Sequence, residues 1–289
     1  MTSDAPHETL PRPDDHAVVP IDLALRWQIS YCTGSPVAVQ ILEAVRADVT
    51  AGGALRTLLP DEVVFSRLVG LRVMAAVHRL ALERRAPRIA LHLPTLGGTA
   101  PSGAAERTFA RDVVEVLSAH PDVLAESLAR IPQTNDPGRS GLLRAAMSRL
   151  DPALPVRLRE TGTSAGLNLR PDHLPGLAGL EAGPLPPVLD RAGCDRDPVD
   201  IGTAEGRLLL SSYVWVDDVP RFAALAHAFE VASRVPADVL REDAVHFVEG
   251  LRPEPGTTPL IWHSAFWFSL DAEQRRRLAS AIAGVAAAA

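Results

Sequence analysis

The chain contains no lysine; all 29 of its basic residues are arginine. That absence excludes a Walker A phosphate loop, a pyridoxal phosphate Schiff base and a Ser-x-x-Lys acyl enzyme. Cysteine is almost as scarce. Cys32 and Cys194 lie far apart with no C-x-x-C spacing, which argues against a disulfide framework or a thiolate zinc site. The nine histidines are scattered, with no H-x-x-x-H pair on a helix, so no metal is assigned. Aromatics make up only 4% of residues, so the core must be built from Leu, Val and Ala. No apolar run approaches the roughly 18 residues of a membrane span. The first 20 residues lack the basic and apolar blocks of a signal peptide. A cytoplasmic protein with a disordered tail over 1–20 is expected. A net charge of −6 counts against nucleic acid as a partner, since phosphate neutralisation needs a basic surface. No membrane partner is expected, and the composition does not indicate an oligomeric state.

What is present divides in two. From 21 to 150 the pattern is helical almost throughout. Ile21 to Tyr31 is one segment, and Ser35-Pro36 restarts the chain as N-cap and first helical residue of another. Pro60-Asp61-Glu62 reads as the acidic start of a third, which stops at Arg84-Arg85 before Pro87. Helices are also expected over Arg107 to Ala119, Val123 to Ile131 and Gly138 to Leu150. From 151 to 289 short apolar runs alternate with helical stretches, the signature of β-α units. Strands are expected at Val156 to Glu160, Val188 to Cys194, Ala237 to Arg241 and Pro259 to Ser264. Arg207 to Trp215 reads as a strand or buried turn, and Val219 to Val235 and Leu270 to Val285 as helices. The predicted architecture is α/β: an N-terminal helical region packed on a reduced, Rossmann-like, mainly parallel sheet.

The richest stretch is Glu160-Thr161-Gly162-Thr163-Ser164-Ala165-Gly166. A turn of small residues after a strand lets a backbone approach a ligand closely. Glu-x-Gly-x-Ser-Ala-Gly resembles the first motif of class I S-adenosylmethionine-dependent methyltransferases. Gly162-Thr163-Ser164-Ala165-Gly166 is also a G-x-S-x-G, the nucleophile elbow of α/β-hydrolases, with Ser164 as nucleophile. A purely structural turn is the third reading. The elbow would need an Asp then a His downstream, and Asp218 or Asp243 followed by His263 satisfies the order. It would, however, lack the strands that should precede it. In the cofactor reading Glu160, Gly162, Ser164 and Gly166 hold the methionine end. Asp195 holds the ribose, with Asp197 or Asp200 as substitutes, and Asp243 lies beside the adenine or caps a helix. His263 faces the acceptor as a base, binds substrate, or is a core residue. Gln133, Asn135 and Arg139 form a lid or substrate group, with Asn135 or Asp136 otherwise capping a helix. S-adenosylmethionine is the expected cofactor and a small molecule the expected substrate. A non-catalytic binding or assembly module is a further alternative.

Several runs together resemble the largely actinobacterial proteins called domain of unknown function 2332. They are Tyr31-Cys32-Thr33-Gly34-Ser35-Pro36, Ala76-Val77-His78-Arg79-Leu80 with Ala86-Pro87, and Gln133 to Arg139. Glu160 to Arg170, Arg191 to Asp195, Tyr213-Val214-Trp215 and His263 to Trp267 complete the set. The resemblance covers the chain from Arg26 onward and implies a methyltransferase-like core. Against the family pattern the link from Arg170 to Asp190 is shortened. The later strands of a class I methyltransferase are expected to be missing.

Overall fold

The computed structural model describes residues 13–32, 34–180 and 183–289. Residues 1–12 of the expected tail, and Thr33, lie outside the described residues. The chain forms two compact units. One runs as far as Gln133 and takes back Leu208–Phe222; the other comprises Thr134–Arg207 and Ala223–Ala289. Relative to the division expected at 150/151, residues 134–150 fall in the second unit and Leu208–Phe222 in the first.

In the first unit, strand β1 (Val18–Pro20) leads directly into helix α1 (Ile21–Tyr31), which is followed by α2 (Pro36–Thr50). The third helix was expected to start at Pro60-Asp61-Glu62. Instead Glu62–Val64 is a strand, β2, paired antiparallel with β1 through Val18 with Val64 and Pro20 with Glu62. The two β-branched residues favour the extended pairing. Leu68, with φ +49, then resets the backbone, so α3 begins only at Val69 and runs to Leu82. Helices α4 (Pro87–Ala90), α5 (Ala104–Ala119) and α6 (Pro121–Ala129) follow. Two of the three N-termini open on a proline whose missing N–H is not needed there.

Helix α3 is buried on nearly every face, which marks it as the centre of this unit's core. Its His78 is a core residue. Nδ1 donates to the Val214 carbonyl at 3.0 Å, and burial lowers the pKa to about 4, so the ring stays neutral. The returning segment puts Tyr213 and Val216 into the same core.

Ser35 stands where a cap is expected, but its side chain does not cap α2. Asp217 does so from 180 residues away: it accepts from the Val37 N–H at 2.9 Å and from the Ser35 hydroxyl. Asp217→Ala should therefore cost about 1–2 kcal/mol in a urea titration. Ser35→Ala should cost less, because Val37 keeps its acceptor. Equal effects would mean that the remote carboxylate is not the cap.

The second unit begins with α7 (Ser140–Met147), whose Leu143 and Met147 pack on strand β3 (Val156–Thr161) at Val156 and Leu158. Along the chain there follow β4 (Val188–Asp195), α8 (Ala204–Ser212), α9 (Val219–Arg234), β5 (Asp238–Arg241), α10 (Ala244–Glu249), β6 (Thr258–Trp262) and α11 (Ala272–Ala288), with the end of α8 and the start of α9 belonging to the first unit. The strand or turn expected over Arg207 to Trp215 is mostly helix, α8. The run Leu208-Leu209-Leu210 carries no β-branched residue, and leucine is a strong helix former. The Pro171 to Pro187 link has no regular element among its described residues.

All four strands of the sheet are parallel, in the order β5–β4–β3–β6. Numbered within this unit, that is third, second, first, fourth, the first four positions of the six-stranded Rossmann order. Parallel sheets need cover on both faces. Here Val156 and Leu158 meet α7 on one face, while Cys194, Ala192 and Ile261 meet α10 and α11 on the other. Among the described residues no helix is long and apolar enough to cross a membrane.

Candidate functional site

Where the order of strands reverses, between the first and fourth, a doubly wound sheet opens a crevice at its carboxyl edge. Here that switch point lies between the ends of β3 and β6, with Glu160 in register with Trp262. Glu160 is 1% exposed. One carboxyl oxygen accepts from the Trp262 indole N–H at 3.1 Å and the other shares a 2.5 Å hydrogen bond with the Thr163 hydroxyl. Burial raises its pKa to about 7, against the opposing pull of those two donors and the positive charge of Arg139. A carboxyl group in this state lies inside the protein, tying the turn to β6.

The turn itself is pinned from several directions. The N–H groups of Gly162 and Thr163 both donate to the Cys194 carbonyl, at 2.9 and 3.0 Å. The Ser164 N–H donates to Asp195 Oδ2 at 2.9 Å, and the Leu167 N–H to Asn135 Oδ1 at 3.1 Å. Arg170 reaches back to the Gly166 carbonyl at 2.6 Å. Gly162 and Gly166 have φ of +67° and +70°, and Ser164 has φ +55°, a left-handed backbone that is costly for serine. Thr163 occupies the space a Cβ on Gly193 would need. The room expected beside Gly162 holds a side chain: a Cβ there would lie 2.3 Å from Phe266.

Glu160, Gly162, Ser164, Gly166, Asp195 and Asn135 are therefore brought together in one hydrogen-bonded turn. Asp136 is the helix cap, accepting from the Gly138 N–H at 3.0 Å, which leaves Asn135 for the turn. Arg139 reaches Ser264 Oγ at 3.3 Å, beside His263 at the end of β6. The His263 ring stacks on Trp267, centroids 5.0 Å apart, and its buried Nδ1 has no hydrogen-bond partner. Asp243 sits one strand further along, where it caps α10 through the Val245 N–H at 2.9 Å and pairs with Arg196 at 2.8 Å. That Arg196 pairing, more than any other influence, holds its carboxyl below the usual aspartate range. Gln133 belongs to the first unit. The Cys194 thiol is pushed up to about 12 by burial, so it is no nucleophile.

Thr163 and Phe266 are the site residues to which sequence reasoning gave no role; Trp262, which reads from the sequence as a pocket wall beside His263 or as core packing, holds Glu160. The family model described as "Uncharacterized protein conserved in bacteria (DUF2332)" matches residues 23–184 and 174–289, nearly the whole chain. The chain belongs to this family. No curated protein and no solved structure matches it. The family match embraces both the turn and the His263 segment of the second unit, and it also takes in the first unit from residue 23 onward.

Proposed function

We propose that the second unit binds S-adenosylmethionine, as a methyltransferase-like protein acting on a small molecule. One observation carries the reading: the Glu160 to Gly166 turn ends the first strand at the switch point, and Asp195 ends the neighbouring strand with its carboxylate turned to that turn. The nucleoside end of the cofactor fits these residues. Asp195 accepts one N–H on each oxygen, from Ser164 and Asp197, and each oxygen keeps a lone pair for a ribose hydroxyl. Asp243 has both oxygens engaged and would support the adenine edge through the first turn of α10. The methionine end does not fit while Phe266 covers Gly162, so no step is assigned through the methyl group, which would be the electrophile. His263, with an unpartnered Nδ1, would face the acceptor, and Arg139 would close beside it.

Calorimetry with S-adenosylmethionine and S-adenosylhomocysteine tests this. Binding is expected for the parent, and binding tighter by about tenfold for Phe266→Ala, which removes the need to displace the ring. Absence of heat with both proteins removes the reading. The left-handed backbone of Ser164 favours a hydrolase elbow instead, but there no carboxylate orients His263 through Nδ1.

A further inference from the structure

On the same carboxyl edge lies a cleft of about 60 Å³ between the loop after β4, the start of α10 and the first turns of α11. Its floor includes Val245 and Leu270, and its rim carries Arg196, Arg277, Gln274 and Asp243. The polar groups of that rim are unequal. Asp243 is already consumed, with one oxygen on the Val245 N–H and the other on Arg196. Gln274 accepts the Asp271 N–H through Oε1 at 3.0 Å, which leaves its amide N–H₂ as a donor. Arg196 uses one guanidinium nitrogen on Asp243, and its backbone is braced by Arg241, whose guanidinium donates to the Arg196 carbonyl at 2.9 Å. The Arg277 side chain has no hydrogen bond or ion pair among the described residues. Its neighbours differ: Arg275 donates to the Trp267 carbonyl, and Arg276 pairs with Glu273.

The rim therefore presents donors in excess and one uncompensated positive charge, in a chain whose net charge is −6. Guanidinium groups match oxyanions in planar, bidentate fashion. Size sets a further limit. Pockets that enclose whole ligands run to about 300 Å³ or more, so this cleft suits a headgroup.

We propose that the cleft is an oxyanion site, taking the carboxylate or phosphate of a small molecule whose apolar body lies over Val245 and Leu270. The inference shares the sheet edge with the function proposed above but does not depend on S-adenosylmethionine. The test uses the full chain and three probes of similar shape: phenyl phosphate, benzoate and neutral benzyl alcohol, followed by calorimetry or protein-observed nuclear magnetic resonance. The anions should bind at least about tenfold more tightly than the alcohol, as charge-assisted hydrogen bonds require. Arg277→Gln should reduce them to the level of the alcohol without moving the melting temperature, because that side chain has no partner to lose. The stronger of the two anions identifies the headgroup. Benzyl alcohol binding as well as the anions, or full anion affinity in Arg277→Gln, overturns the proposal. Phenyl phosphate binding without S-adenosylmethionine binding removes the earlier reading and leaves this one; the converse result does the reverse.

Discussion

Glu160→Gln is expected to raise stability at alkaline pH while changing little in acid. The unfolded carboxyl titrates near 4.5 and the folded one near 7. Between those values the native state holds a proton that the unfolded chain has released. The stabilisation is thus complete below about 4.5 and is lost as pH rises through 7, a loss of about 3 kcal/mol. Glutamine keeps the shape and the neutrality, and its amide N–H₂ can donate to the Thr163 hydroxyl once that hydroxyl, a donor to Glu160, turns to accept. It also accepts from Trp262 as the acid does. The charges that bear on this carboxyl are Arg139, Asp195 and Arg170, and the substitution leaves all three in place. Urea titrations from pH 4 to pH 9 should show a falling curve for the parent and a flatter one for the variant. Parallel curves would mean that Glu160 is ionised and hydrated throughout, and that the buried acid is not as described.

The second large effect is expected at Gly162. A Cβ there must adopt φ +67° and also enter the Phe266 side chain. Strain of about 1–2 kcal/mol and overpacking of about 1–3 kcal/mol should combine in Gly162→Ala. Gly97 separates the two contributions: it has φ +80° with nothing within 4 Å of its Cβ position, so Gly97→Ala carries the backbone part alone. Adding Phe266→Ala to Gly162→Ala should recover the packing part. A double-mutant cycle by chemical denaturation measures this coupling. Additive effects would show that the phenyl ring does not rest on the glycine.

Much of the fold was legible. Four strands were placed within a residue or two of their ends, because each is a short apolar run closed by an acid or turn residue. Ser35-Pro36 marked the start of a helix, but the carboxylate that caps it comes from Asp217, and local spacing cannot show a partner so far along the chain. Pro60-Asp61-Glu62 carried every sign of a helix start. Its pairing with Val18–Pro20 overrode them, a tertiary effect with no local signature. At the site the strand-end acids were visible and their roles were not. The burial of Glu160, and the engagement of Asp243 by Arg196, depend on residues far along the chain and leave no mark in the local sequence. Phe266 reaches Gly162 across more than one hundred residues, and nothing near either residue announces the contact.

The residues Leu208–Phe222 have a consequence for how the protein is made. Tyr213 and Val216 fill the first core, and Asp217 secures the start of its second helix. A ribosome that has released only the first 133 residues has therefore delivered an N-terminal unit with part of its interior still untranslated. Vectorial folding, in which the leading unit closes before the next is synthesised, would leave the first core of this chain without Tyr213 and Val216. Its first core is complete only once residues 208–222 have left the exit tunnel.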